Sequence, residues 1–154
     1  MVEQRFRKAR VGGSSPLAGC FSFTERAWGE PHAIVTGSEG HEVMLRTIDK
    51  TEVKTLLNEL RTGLQALYGD RLKGLYLYGS YARGEADPES DLDVLVVLDG
   101  YDRYSAEIER TSQLGARLSL EYGVSISKVF MTETKWLQGD TPFLANVREE
   151  ALAA

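Results

Sequence analysis

The sequence has 154 residues, and its apolar share of 42% is enough to build the core of one domain. With 23 acidic and 18 basic residues its net charge is −5, so it lacks the broad basic surface of a nucleic-acid-binding domain, and nucleic acid binding is not indicated. A single cysteine, Cys20, excludes an internal disulfide and a thiolate zinc cluster, and no apolar run reaches the ~18 residues that cross a membrane, so we expect a cytoplasmic protein without a membrane partner.

Residues 1–43 differ from the rest of the chain because no helical or strand period is sustained over them. They are rich in glycine and contain Pro16 and Pro31. Such a composition favours a disordered or loosely packed segment. We expect residues 1–43 to be an N-terminal extension of this kind, or the product of a mis-assigned start, and residues 44–154 to form the folded domain.

The first helix is predicted from a capping signal and a regular apolar stripe. Asp49 and Glu52 have the spacing of a capping box, and Gly69 is placed to end the helix. Between them, apolar residues recur with helical period at Val53, Leu56, Leu57, Leu60, Leu64 and Leu67.

Two strands follow this helix. Residues 72–78 are aromatic and branched, as is typical of a strand, and residues 79–90 are rich in turn formers. Residues 92–98 are apolar on both faces, which predicts a strand in the interior of a sheet.

The last third of the chain predicts a helix, a strand and a helix. One helix is expected over residues 105–122, with its apolar residues at Ile108, Leu118 and Tyr122, and a strand over residues 124–130. Thr141 and Pro142 are typical of an N-cap and a first-turn proline that open a final helix. This order of elements predicts a small α/β (α+β) domain.

A pair of aspartates, Asp91 and Asp93, marks the start of the second strand. Because they are two residues apart, their side chains point to the same face. Two carboxylates about 4 Å apart repel by about 4 kcal/mol at an effective dielectric of 20. Exposure to water or a raised pKa would relieve this repulsion. The apolar residues 94–97 favour a buried strand, so a divalent cation such as Mg²⁺ is the simplest solution.

A glycine and a serine, Gly79 and Ser80, follow the first strand. Glycine permits close approach of the backbone to a ligand, N–H groups at a helix start favour an anion, and Ser80 adds a hydroxyl donor. Arg83, one turn further on, can pair with a phosphate or with a carboxylate, and the sequence leaves both open. Together with Asp91 and Asp93, this turn predicts a site for a nucleotide triphosphate and a nucleotidyl-transfer reaction. In that reaction an acceptor hydroxyl attacks the α-phosphate and pyrophosphate leaves.

The order Gly79, Ser80, ten intervening residues, then Asp91 and Asp93 resembles the signature of the DNA polymerase β-like nucleotidyltransferase superfamily. Over residues 49–147 the chain is most similar to the minimal nucleotidyltransferases, which include antitoxins of the MntA type. The resemblance implies a polymerase β-like nucleotidyltransferase fold, in which helices flank a small mixed sheet. It also implies dependence on Mg²⁺, ATP or another NTP as substrate, and a HEPN-type toxin as a protein partner that is modified with AMP.

The resemblance assigns roles to five residues. Asp91 and Asp93 would be the catalytic and metal-binding residues, while Gly79, Ser80 and Arg83 would bind the nucleotide.

One position departs from the family pattern. Active members usually carry a third carboxylate on the later strand, where this chain has Ser125 and Ser127. Two functions therefore remain open. The chain is either an NMP or AMP transferase acting on a protein or small-molecule hydroxyl, or a catalytically weak nucleotide-binding module with a regulatory role. The sequence leaves homo-oligomer formation, the acceptor and the base open.

Overall fold

The structure is a computed structural model that describes residues 21–22 and 47–154. Its elements are, in chain order, β1 (Phe21–Ser22), α1 (Lys50–Tyr68), β2 (Leu72–Tyr78), α2 (Gly79–Arg83), β3 (Leu92–Leu98), α3 (Tyr104–Arg110), α4 (Ser112–Tyr122), β4 (Ile126–Thr132), α5 (Glu133–Gln138), α6 (Pro142–Glu150) and β5 (Leu152–Ala153). A short 3-10 turn, Gly69–Arg71, joins α1 to β2.

The five strands form one mixed sheet in the order β1-β5-β2-β3-β4. β2 is antiparallel to both β3 and β5, whereas β3 is parallel to β4 and β1 is parallel to β5. The predicted α+β architecture, with helices flanking a small mixed sheet, is confirmed.

The helix α1 begins and is buried as the sequence predicts. Asp49 Oδ1 accepts hydrogen bonds from the N–H groups of Thr51 and Glu52 at 2.7 and 2.9 Å, and Glu52 Oε2 accepts one from Asp49 N at 2.9 Å. This reciprocal arrangement satisfies backbone donors that a helix start leaves free. Only the last residue of the predicted stripe is misplaced, because Leu67 is exposed and Tyr68 packs inward instead.

The core lies on both faces of the sheet. On one face, α1 and α4 cover residues that include Leu75, Val94 and Val96. On the other, Trp136 of α5 and residues of α6 cover Tyr76, Leu95 and Val97. β3 is therefore enclosed on both faces, which confirms its predicted place inside the sheet.

The single helix predicted over residues 105–122 is wrong, because it is two helices that meet at Thr111. Thr111 is buried, and its hydroxyl donates a hydrogen bond to Glu107 O at 2.9 Å, a back-bonding pattern that bends helices. The inward residue of α3 is Glu107, which accepts hydrogen bonds from Tyr68 at 2.7 Å and Arg110 at 2.8 Å, while Ile108 is exposed. An apolar period cannot reveal a buried carboxylate that depends on partners elsewhere in the chain.

Three further differences concern short elements and the N-terminal region. β4 begins two residues later than predicted, since Gly123 ends α4 in the left-handed region at φ 66°. Helix α5 and strand β5 were not predicted. Phe21–Ser22 pairs with β5, and the rest of the predicted extension, residues 1–43, lies outside the described residues. Across residues 21–22 and 47–154, no helix combines the length and apolar character of a membrane span.

We expect the core of α1 to dominate stability. Leu60 is fully buried, so Leu60→Ala should lower the free energy of unfolding by about 2–5 kcal/mol, measured by urea denaturation. The control is Leu120→Ala in α4, where the side chain is 86% exposed and the change should stay within about 0.5 kcal/mol. Equal losses in the two variants would contradict this placement of α1.

Candidate active site

The pairing register of β2 and β3 places Gly79 against Asp93, two of the residues that the sequence predicts for the site. Tyr78, the last residue of β2, is the pairing partner of Asp93, and Gly79 follows at once as the first residue of α2. Gly79 has φ 75°, and a Cβ added there would lie 2.6 Å from Asp93 Oδ2. Only glycine fits, because the chain turns through the left-handed region while a carboxylate lies against its Cα.

The two aspartates differ in their surroundings. Asp91 is exposed just before β3, and Asp93 is partly buried within it. Burial raises the pKa of the Asp93 carboxyl, and the charges of Asp91 and Glu150 raise it further, whereas a hydrogen bond from Ser127 and the charge of Arg83 lower it. The ionised form of Asp93 is thus disfavoured in the folded protein, and a bound cation would stabilise it.

The donor set at this point fits Mg²⁺ with few protein ligands. Mg²⁺ prefers carboxylate oxygens and usually keeps waters and substrate phosphate oxygens in its shell. In the part of the chain that the structure describes, no group of three or more His, Cys, Asp or Glu side chains is arranged to hold a metal. Asp91 and Asp93, the two carboxylates at the start of β3, are the residues here that could bind such an ion.

The two serines that the sequence analysis singled out on the later strand differ in their relation to Asp93. Ser127 of β4 pairs in register with Asp93, and its hydroxyl hydrogen bonds to that carboxylate. Ser125 precedes the strand, and its carbonyl accepts a hydrogen bond from Leu92 N at 2.8 Å. Ser127 is therefore the serine that contacts the aspartate pair, and it presents a hydroxyl there.

Glu150, the last residue of α6, is a member of the site that sequence reasoning missed. Its Oε1 accepts a hydrogen bond from Gly79 N at 2.9 Å, and its Oε2 pairs with Arg83 Nη1 at 2.7 Å. Arg83 Nε also pairs with Glu85 at 2.7 Å. Of the two partners that the sequence leaves open for Arg83, a phosphate or a carboxylate, the structure shows carboxylates. Glu150 is 71 residues from Gly79 in sequence, and no local pattern indicates that α6 ends here.

The rim of the site is aromatic. Tyr78 is half-buried and meets the exposed ring of Phe143 edge-on, with ring centroids 5.8 Å apart. Burial, followed by the charge of Asp93, raises the pKa of Tyr78 to about 12. Tyr76 and Tyr81 are buried, so they belong to the core and not to the rim.

We predict that Gly79 tolerates no side chain. Gly79→Ala should lower the free energy of unfolding by at least about 1–2 kcal/mol, the cost of the left-handed conformation, and should displace the Asp93 carboxylate. The control is Gly100→Ala, where an added Cβ meets nothing within 4 Å. Urea denaturation of both variants checks this, and an unchanged Gly79→Ala protein would contradict the close packing.

We also predict a pH-dependent effect of Asp93. Because its folded-state pKa is raised, Asp93 stabilises the fold when protonated, and this stability is lost as the pH rises through that pKa. Asp93→Asn should therefore unfold at higher urea than the wild type at pH 7, and the difference should shrink towards about pH 4. The control, Asp102→Asn at an exposed loop residue, should show little difference at either pH. A difference that does not depend on pH would contradict this account.

A family model and curated relatives both identify the chain as similar to nucleotidyltransferases. Residues 57–152 match the family model of the nucleotidyltransferase domain. The chain is 31% identical over 83 residues to MJ0141, a candidate protein adenylyltransferase of Methanocaldococcus jannaschii, across 54% of this chain and 83% of that protein. It is 35% identical over 77 residues to MJ0604, another candidate of the same kind and organism, across 50% of this chain and 71% of that protein.

Among solved structures, a crystal structure of a toxin-antitoxin with AMP-PNP is similar at 21% identity and a TM-score of 0.46, over 62% of this chain and 69% of that chain. This likeness is too low to bear on function. The match over residues 57–152 confirms the resemblance carried by Gly79, Ser80, Asp91 and Asp93, and the chain belongs to the nucleotidyltransferase domain family.

Proposed function

We propose that this chain is a Mg²⁺-dependent adenylyltransferase that transfers AMP from ATP to a hydroxyl group of a protein, with a HEPN-type toxin as the first acceptor to test. The observation that carries the proposal is the β2–β3 register, which sets Gly79 against Asp93, with Ser80 next in the chain. The two relatives from Methanocaldococcus jannaschii, both candidate protein adenylyltransferases, support ATP as the nucleotide and a protein as the acceptor.

Each residue of the site has a role in this proposal. Asp91 and Asp93 would hold Mg²⁺, which when bound supplies positive charge for the triphosphate. The Gly79 N–H, the Ser80 hydroxyl and Arg83 are donors for phosphate oxygens. The acceptor oxygen forms a bond to the α-phosphorus and loses its hydroxyl proton to water, the bond from the α-phosphorus to the β-phosphate oxygen breaks, and pyrophosphate leaves. These residues act by positioning and by electrostatic stabilisation.

Local charge supports the requirement for a cation. Asp91, Asp93 and Glu150 give the site three carboxylates, and its guanidinium, Arg83, is already paired with Glu85 and Glu150. A triphosphate would meet net negative charge here, and like charges at short range repel. The proposed activity should therefore be lost when divalent ions are removed.

A second function is favoured by a specific observation. Ser127 stands in register with Asp93 where an acid usually completes the site, which supports a nucleotide-binding regulatory module with little or no turnover. Calorimetry with ATP and Mg²⁺, followed by a turnover assay, separates the two. Binding without turnover supports the regulatory module, and measurable turnover supports the transferase.

The transferase predicts which atoms of ATP reach the acceptor. The protein is incubated with Mg²⁺ and its co-expressed acceptor, once with ATP labelled at the α-phosphate and once at the γ-phosphate. Label should transfer from the α position alone. Asp91→Asn or Asp93→Asn should reduce transfer by at least about a hundredfold, as for the loss of a group that stabilises a transition state. EDTA should abolish it.

The matched control for these variants is Asp102→Asn, which makes the same chemical change at an exposed loop residue outside the site. It should transfer label at the wild-type rate. Equal transfer by Asp93→Asn and the wild type would rule out the assigned role of the pair, and transfer from the γ position would indicate a kinase.

A further inference from the structure

The feature that the proposed function leaves unexplained is the carboxylate of Glu150. One oxygen of Glu150 accepts a hydrogen bond from Gly79 N at 2.9 Å, and the other accepts one from Arg83 Nη1 at 2.7 Å. These are two of the donors that the proposed function assigns to the triphosphate. In this structure the carboxylate of Glu150 therefore occupies two donors that a phosphate would use.

We propose that Glu150 is a further residue of the nucleotide site, an internal anion that competes with the triphosphate for the Gly79 N–H and Arg83. This inference rests on the proposed function, because it takes ATP as the ligand. It adds a residue from α6 to a site otherwise built on β2, α2 and β3.

The competition follows from geometry. A backbone N–H donates one strong hydrogen bond, and with Glu150 Oε1 at 2.9 Å the space in front of Gly79 N is filled. The side chain of Glu150 is only 18% exposed, so it is packed into this position. A phosphate oxygen can accept a hydrogen bond from the same N–H only after the carboxylate of Glu150 has moved away.

The competition also follows from charge. Glu150 is close enough to Asp93 for its charge to raise the pKa of that carboxyl. A cation at the aspartates would neutralise their charge, but Glu150 would remain as a negative charge directed at the donors. Removal of the Glu150 charge alone should thus favour a polyanion over a neutral ligand.

The backbone at Glu150 is fixed, so the side chain is the part that moves. α6 ends at this residue, Ala151 is buried, and Leu152 pairs at once with Leu77 of β2. Glu150 therefore stays beside bound nucleotide after it has released its donors. Its effect should appear in the affinity for ATP and in KM, and not in the chemical step measured by kcat.

The test is calorimetry of the full chain with ATP and Mg²⁺. Glu150→Gln keeps an oxygen for the Gly79 N–H but removes the charge, and it should bind ATP about tenfold more tightly than the wild type, as expected for one charge-assisted hydrogen bond. Inorganic tripolyphosphate should show the same gain, and adenosine should show none. In the transfer assay, KM for ATP should fall while kcat stays within about twofold.

Two controls separate local from general effects. Glu149→Gln makes the same change of net charge at the exposed neighbour on α6 and should leave ATP affinity unchanged. Glu85→Gln removes the other partner of Arg83 without freeing the Gly79 N–H, so its gain should be smaller than that of Glu150→Gln.

A second variant guards against misfolding of the first. Glu150→Asp keeps the charge but is too short to reach both donors, and it should bind ATP more tightly than the wild type. Thermal unfolding of each variant verifies that it is folded. Equal or weaker binding of ATP by Glu150→Gln would overturn the inference and leave the proposed function intact. Failure of both the wild type and Glu150→Gln to bind ATP would overturn both.

Discussion

The site depends on one antiparallel pairing, that of Tyr78 with Asp93 where β2 ends and β3 has just begun. This pairing determines that Gly79, the residue after Tyr78, lies against the carboxylate of Asp93. A slip of one residue would turn Asp93 to the opposite face of the sheet, because the side chains of a strand alternate. The enclosure of β3 on both faces is what specifies the register, since such a slip would exchange residues between two different apolar cores.

The electrostatics of the site follow from this pairing. Asp93 is anchored in the most enclosed strand, so its carboxyl is partly withdrawn from water next to two other negative groups. Ser127 on β4 offers it a hydrogen bond without adding charge. The acids of the site therefore come from both the sheet and a helix that packs over it, Asp93 from β3 and Glu150 from α6.

How much of this was predictable from sequence depends on the range of the interactions. Helix α1 and strands β2 and β3 were predicted because a capping box and apolar periods are local signals. Asp91, Asp93, Gly79 and Ser80 could be proposed as one site because they are close together in the chain. The break at Thr111 was missed because a buried polar residue leaves no apolar period. The contact of Glu150 with Gly79 was missed because it joins segments that are distant in the sequence.

The position of Glu150 in the site depends on β5, the strand that begins two residues after it. β5 is two residues long, but it pairs with both β1 and β2, and Ala154 N donates a further hydrogen bond to Leu75 O at 3.0 Å. Leu152 of β5 is fully buried in the same apolar cluster as Leu77 of β2 and Val94 of β3. Because elements that share a core open together, the backbone that carries Glu150 and the strand that carries Asp93 belong to one cooperative unit, and the two carboxylates separate only when that core opens.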